Sequence, residues 1–374
     1  MILPLSLLGT FIKKLIGMQR YIVNFEEHLG ASEIRNRRIG IVSPEHLAQP
    51  DNEIEENLKF TYRVVRSDSF DRDGEEKSRS VILMLHGLNE RSWDKYMPWA
   101  EFLAESTGKS VVLFPISLHM DRSPLFWSDS RKMQSLVYME REKRAETENL
   151  TYVNYAISSR LKADPYRFYL SGRESVWNIC QFMEEIKQGK NGLISSTASV
   201  DIFGYSIGAM LAQVLMMSNP EHYFSESKMF MFCGGSLFSE MNGSSRKIMD
   251  RESFASIQSY YTKSFQRESR RIKDYIEEVF MSHISADMFR KLREGFYRRN
   301  SDRVMAISLK KDTVMPTSGI RLAMEGCDIN THLEEFDFPF DYSHEAPFPD
   351  NVRKNPEASS WFDKVFSKVA AFLG

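Results

Sequence analysis

The feature that most constrains this chain is a G-x-S-x-G pentapeptide, Gly204-Tyr205-Ser206-Ile207-Gly208, which stands between two apolar segments. Residues 200–203 before it have the pattern of a buried strand, and residues 207–217 after it have that of an apolar helix. A serine in so tight a turn adopts strained backbone angles, and the two glycines let the strand and the helix approach each other. The motif therefore predicts a strand–turn–helix unit with the Ser206 hydroxyl exposed at the end of a sheet.

Further apolar runs alternate with segments of helical periodicity on both sides of this motif. Continuous apolar runs of this kind are typical of strands that are covered on both faces. The alternation predicts an α/β fold, in which a mainly parallel sheet is sandwiched by helices. The predicted strands are residues 58–65, 81–85, 111–114, 200–203, 229–232, 304–309 and 332–338.

The chain divides into two predicted parts. Residues 1–57 are mixed, charged and rich in turn formers, which predicts an N-terminal extension laid over the surface. Residues 58–374 form the α/β domain. Within it, the segment from about residue 237 to 302 is far longer than an ordinary connection between two strands. Its apolar residues recur at helical spacing, which predicts a helical insertion.

Composition excludes several classes of protein. The net charge of −2 arises from nearly balanced acidic and basic residues, so it favours neither nucleic acid nor acidic lipid as a partner. The apolar stretch Met1 to Ile12 is too short for a stable membrane span. The sequence leaves open whether the chain forms a homo-oligomer.

The three cysteines, Cys180, Cys233 and Cys327, are widely separated and have no metal-binding spacing. This pattern favours a reducing, cytoplasmic location and no metal.

Two residues downstream of Ser206 are candidates for a catalytic triad. Asp312 directly follows the predicted strand 304–309, where an acid reaches the ligand-binding rim of an open sheet. His344 lies in a loop rich in aromatics and prolines after the last predicted strand. Serine, then aspartate, then histidine is the chain order in which triad residues follow a serine turn of this kind. A turn or cap role for Asp312 is the alternative.

The segment His86-Gly87-Leu88 stands at the end of another predicted strand. A glycine here lets the backbone fold back, so that the amide of Leu88 faces a reacting carbonyl beside the amide of Ile207. Leu88 and Ile207 are thus the predicted oxyanion-binding residues. We expect His86 to brace this loop rather than to act as a base.

These motifs together resemble those of the α/β-hydrolase superfamily over residues 58–374. The resemblance implies an eight-stranded, mostly parallel sheet flanked by helices, no cofactor, and a cap over the site formed by the insertion. It also implies that Ser206 is a nucleophile, His344 a general base and Asp312 the carboxylate that orients the histidine. Some members of the superfamily carry the acid after the preceding strand, which makes Glu240 the alternative acid.

The function predicted from these residues is that of a serine hydrolase that forms an acyl-enzyme on a carboxylic ester of a small or apolar molecule. An amidase, a peptidase, a thioesterase or an acyltransferase would use the same triad. A noncatalytic binding protein would keep the pocket without turnover.

Overall fold

The computed structural model describes residues 13–15, 18–28, 47, 49–67, 77–144 and 147–374. The apolar segment Met1 to Ile12 lies outside the described residues. None of the helices in the described part of the chain is both long and apolar enough to cross a membrane.

A single mixed sheet of nine strands organises the described residues, in the order β1-β2-β3-β5-β4-β6-β7-β8-β9. Strands β2 to β9 have the order 1-2-4-3-5-6-7-8, which matches the eight-stranded sheet that the resemblance implies, and the short β1 adds one more at the edge. The strands are β1 (Lys13–Leu15), β2 (Met18–Glu26), β3 (Lys59–Ser67), β4 (Ser78–Leu85), β5 (Ser110–Leu113), β6 (Ile194–Tyr205), β7 (Met229–Phe232), β8 (Val304–Leu309) and β9 (Leu333–Phe336).

The six strands from β5 across to β9 are parallel, whereas β1, β2 and β3 pair antiparallel. Strand β2 pairs with β3 along its whole length, from Met18 opposite Ser67 to Glu26 opposite Lys59. The sheet therefore begins before residue 58, and the predicted N-terminal extension contributes two of its strands. The sequence signal for β2 is weak because only two of its nine residues are fully buried.

Helices cover both faces of the sheet. The α helices are α1 (Glu55–Leu58), α2 (Met97–Thr107), α3 (Ser130–Lys143), α4 (Tyr155–Ala163), α5 (Tyr166–Lys187), α6 (Ile207–Ser218), α7 (Arg251–Ser259), α8 (Tyr275–Ser282), α9 (Arg290–Arg299), α10 (Thr317–Ala323), α11 (Ile329–His332) and α12 (Pro356–Leu373). This arrangement is the α/β sandwich predicted from the alternation of apolar segments.

The buried run in β4 shows how one strand serves both layers. Val81, Leu83 and Leu85 belong to the hydrophobic cluster that also contains residues of α5 and α6. Ile82 and Met84 belong to the opposite cluster with α2 and α12. Because successive side chains of a strand point to opposite faces, a continuous apolar run is required in a sheet covered on both sides.

The long connection between β7 and β8 is helical, as its periodicity predicts. It contains α7, a π-helical turn at Tyr260–Ser264, α8 and α9. Its aromatic residues pack on α5: the ring centroid of Tyr169 lies 5.3 Å from that of Phe265 and 5.0 Å from that of Phe280. These contacts hold the connection over the same face of the sheet as α6.

Candidate active site

The turn at Ser206 is strained in the way that its motif predicts. Ser206 has φ 57° and ψ −124°, and α6 begins at the next residue. A Cβ atom on Gly204 would lie 2.6 Å from Cα of Ala209, and one on Gly208 would lie 2.5 Å from the carbonyl oxygen of Leu85. Contacts this short with backbone atoms exclude any side chain, so both glycines are needed to bring α6 against β4 and β6.

The structure brings the three predicted triad residues into one hydrogen-bonded chain. Oγ of Ser206 lies 2.6 Å from Nε2 of His344, and Nδ1 of His344 lies 2.7 Å from Oδ2 of Asp312. A carboxylate only accepts, so Nδ1–H donates to it and Nε2 is left to accept from the serine hydroxyl. Ser206 is 3% exposed, and His344 and Asp312 are each 4% exposed, so bulk water screens these contacts little.

Asp312 is held in place by the backbone that follows it. Its Oδ1 accepts the N–H groups of Val314 and Met315, each at 2.9 Å, which leaves Oδ2 for His344. The Asx-type turn and the contact with His344 therefore coexist. Glu240, the alternative acid, is exposed, and its carboxylate accepts from the Ser239 hydroxyl at 3.0 Å.

Tyr205 supports the loop that carries His344, a role that the sequence motif did not reveal. Its hydroxyl donates a hydrogen bond to the backbone carbonyl of His344, and the two rings stack with centroids 5.7 Å apart. Burial raises the pKa of the Tyr205 hydroxyl well above its usual value, so it remains a donor. The only sequence signal for this role is that Tyr205 belongs to the same pentapeptide as Ser206.

The loop at Gly87 lies against the serine. A Cβ on Gly87 would lie 3.3 Å from Cβ of Ser206. His86 braces this loop, as predicted: its Nδ1–H donates to the carbonyl of Gly87 at 2.8 Å, and its Nε2 accepts the N–H of Ile116 at 2.9 Å. Burial lowers the pKa of His86 well below its usual value, so it stays neutral.

A small apolar cavity of about 60 Å³ adjoins the turn, and we call it the apolar cavity. Both predicted oxyanion residues, Leu88 and Ile207, line it, and Phe280 of the insertion lines it as well. Ile207 is the first residue of α6, where amide groups have no partner within the helix and can bind an anion. The apolar cavity and the first amides of α6 therefore both adjoin the serine turn.

His119 also lines the apolar cavity. Its Nδ1 lies 2.8 Å from the carbonyl oxygen of Ser117 and must donate to it. Its Nε2 is buried and has no hydrogen-bond partner among the described residues. Burial lowers the pKa of His119 to about 4, so the ring is neutral at physiological pH.

A larger cleft of about 410 Å³ is also lined by Leu88, and we call it the polar cleft. Charged residues line it, among them Arg91, Lys95, Lys247 and Glu345. Glu345 directly follows His344, so the polar cleft runs close to the histidine. The candidate site is therefore flanked by an apolar space and a polar one.

The strand order and the strained serine turn define an α/β-hydrolase fold. The chain belongs to DUF6051, a family of unknown function, whose model matches residues 22–374. Comparison with curated proteins gives no match.

Several solved structures are similar to the chain at low identity. Carboxyl esterase 2 from the mycorrhizal fungus Tuber melanosporum is 10% identical, with 85% of this chain and 82% of that chain covered and a TM-score of 0.46. An S-formylglutathione hydrolase from Agrobacterium tumefaciens is 13% identical, with coverage of 98% and 100% and a TM-score of 0.41. A thermostable esterase from Pseudomonas putida ECU1011 is 10% identical, with coverage of 99% and 86% and a TM-score of 0.43. Similarity at this level does not transfer an activity to this chain.

Proposed function

We propose that this protein is a serine hydrolase that cleaves a carboxylic ester through an acyl-enzyme. The observation that carries the proposal is the continuous chain from Ser206 Oγ through the His344 ring to Asp312, with heavy-atom distances of 2.6 and 2.7 Å. A serine hydroxyl gains nucleophilicity when an adjacent base accepts its proton and a carboxylate holds the base in the correct tautomer.

In the proposed reaction, Oγ of Ser206 attacks the ester carbonyl while its proton passes to Nε2 of His344. The oxygen that becomes negative is bound by the amides of Leu88 and Ile207. His344 then gives the proton to the leaving alcohol, and the acyl group stays on Ser206. Water attacks the acyl-enzyme with His344 again as base, which releases the acid and restores the serine. Asp312 stabilises the imidazolium and keeps its own charge.

The surroundings of Ser206 support a small or apolar acyl group. The apolar cavity is lined mainly by aliphatic and aromatic side chains, whereas the polar cleft could accept a polar leaving group. Phe280 makes the insertion part of the wall around the apolar cavity, which supports its role as a cap. The three cysteines are unpaired, which supports the expected reducing, cytoplasmic location.

The test is labelling with a fluorophosphonate probe, followed by turnover of matched activated esters, thioesters and anilides. We expect the parent protein to label and to hydrolyse the ester fastest, and we expect Ser206→Ala to do neither while keeping the parental melting temperature. An anilide or thioester turned over faster than the ester would assign the chain to the amidase or thioesterase alternative. Equal labelling of parent and Ser206→Ala would refute the nucleophile.

Added alcohols distinguish hydrolysis from acyl transfer, because an acyltransferase passes the acyl group to the alcohol rather than to water. We expect free acid as the main product with a small alcohol present. A parent protein that binds esters but neither labels nor turns over would be a noncatalytic binding protein.

A further inference from the structure

A second small cavity, of about 50 Å³, adjoins the apolar cavity, and we call it the arginine cavity. The two share the residues Leu88, His119, Phe168 and Ser171, so they meet beside the predicted oxyanion loop. A buried water needs roughly 10–15 Å³ of such space. The arginine cavity therefore has room for a few heavy atoms, about the size of one carboxylate.

The charges around this cavity do not balance. Arg91, Arg160 and Arg167 line it, and no acidic residue is among its lining residues. Asp51, which lies outside the lining, pairs with both Arg160 and Arg167. Three guanidinium groups thus line the cavity, and one carboxylate is shared by two of them.

Arg91 and Arg167 are the incompletely paired members. Arg91 donates to Ser123 Oγ at 2.8 Å and to Asn89 Oδ1 at 3.2 Å, both neutral, and has no ion-pair partner in the described part of the chain. Arg167 is 2% exposed, and its Nε has no hydrogen-bond partner within the described ranges. Its Nη1 makes no hydrogen bond there either and lies 3.4 Å from Oδ1 of Asp51, the carboxylate that it shares with Arg160. Leaving buried charged donors unpaired is costly, so an anion in the cavity would stabilise them.

The third arginine is oriented by an aromatic ring. The guanidinium carbon of Arg160 lies 4.5 Å from the ring centroid of Trp127. Both of its Nη atoms already donate, to the carbonyls of Leu47 and Gln49 and to the carboxylate of Asp51, so Arg160 adds positive charge to the cavity rather than free donors. Neutral His119 adds no charge to the cavity.

We propose that the arginine cavity binds a carboxylate at the far end of the acyl chain, so that the substrates are half-esters of dicarboxylic acids. The inference rests on the proposed ester hydrolysis. Arg91 follows Leu88 by three residues on the same loop, which couples the position of the carboxylate to that of the reacting carbonyl. Arg91 also lines the polar cleft, which gives an anion a route from solvent.

The test compares two esters of one acid and one leaving group: the nitrophenyl half-ester of adipic acid, and the same ester with its free carboxylate methylated. Charge-assisted hydrogen bonds are worth enough to expect a preference of about 10- to 100-fold in kcat/KM for the half-ester. Arg91→Met should remove the preference, so that kcat/KM for the half-ester and for the methylated ester become equal within about twofold. Arg144→Met, which removes a half-buried arginine that lines none of the three cavities described, should keep the preference.

Binding is measured separately, by calorimetric titration of adipate into the Ser206→Ala protein. We expect binding that is lost when Arg91→Met is added, and no comparable binding of hexanoate or inorganic phosphate. If Arg91→Met does not fold, Arg91→Gln, which keeps polar donors at similar size, takes its place, and a melting curve checks each variant.

Three outcomes separate the two proposals. Serine-dependent turnover without preference for the half-ester would overturn the carboxylate site and leave the hydrolase intact. Adipate binding that depends on Arg91, in a protein without ester turnover, would support the site and overturn the hydrolase. Binding of phosphate in place of adipate would overturn the assignment to a carboxylate.

Discussion

The hydroxyl of Tyr205 donates a hydrogen bond to the backbone carbonyl of His344, so the residue before the proposed nucleophile holds the loop of the proposed base. The nucleophile elbow and the histidine loop are 139 residues apart in the chain. This bond and the stacked rings tie the histidine loop to the serine turn, and they therefore hold Nε2 of His344 near Oγ of Ser206.

Tyr205→Phe tests this relationship because it keeps the ring and removes only the donor. We expect kcat to fall about 10-fold with KM nearly unchanged, since the base loses its position rather than the substrate its binding site. The buried carbonyl of His344 is left unsatisfied, so the unfolding free energy should fall by about 1–3 kcal/mol. Steady-state kinetics and thermal unfolding of the same variant check both values. Parental kcat would mean that the loop is positioned without this bond.

Asp312→Asn should lower kcat by about three to four orders of magnitude, because an amide cannot stabilise the imidazolium or enforce the tautomer. Asp337→Asn is the matched control, since Asp337 pairs with Lys310 and Lys311 at the surface. Its effect should stay within about twofold, as is usual for exposed ion pairs. Ester hydrolysis by the purified variants measures both. Loss of activity in Glu240→Gln with parental activity in Asp312→Asn would move the acid to the alternative residue.

Phe280→Ala should shift acyl-length preference towards longer chains, because this residue lines the apolar cavity and its truncation enlarges it. Tyr261→Phe is the control within the same insertion: Tyr261 does not line that cavity, and its hydroxyl donates to the carbonyl of Pro165 at 2.7 Å. It should lower the melting temperature without changing specificity. A chain-length series of esters is the measurement, and an unchanged profile for Phe280→Ala would argue against a cap role.

We expect the stability of the fold to depend on pH through the buried carboxyl group of Glu174, independently of catalysis. Burial raises its pKa to about 7 from an ordinary 4.5, and the attraction of Arg122 offsets this only in part. The folded protein therefore holds this proton more tightly than the unfolded chain does. The contribution of protonated Glu174 to the unfolding free energy is complete below pH 4.5 and is lost as the pH rises to about 7. This contribution is of order 1–3 kcal/mol.

Glu174→Gln mimics the protonated form, so its melting temperature should exceed that of the parent more at pH 8 than at pH 5. Glu184→Gln on the same helix is the control, since Glu184 is exposed. Thermal unfolding at both pH values measures the difference. Equal shifts at both pH values would show that the carboxyl is ionised in the folded protein throughout this range.

Local rules were enough to predict much of this protein from its sequence. The glycines at 204 and 208 predict the strained turn, because no side chain fits between the packed strand and helix. The apolar runs predict the parallel strands, because both faces of the sheet are covered. Position after successive strands singled out Asp312 and His344, and parallel strand ends meet at one rim of a sheet.

Only the tertiary structure decided features that depend on partners distant in sequence. Strand β2 is held by β3 across the sheet, and its own residues alternate too weakly to predict it. The bond from Tyr205 to His344 and the grouping of Arg91, Arg160 and Arg167 join segments that nothing in the local pattern connects. A sequence carries the period of each element and the chemistry of each side chain, whereas the approach of distant side chains is set by how the elements pack.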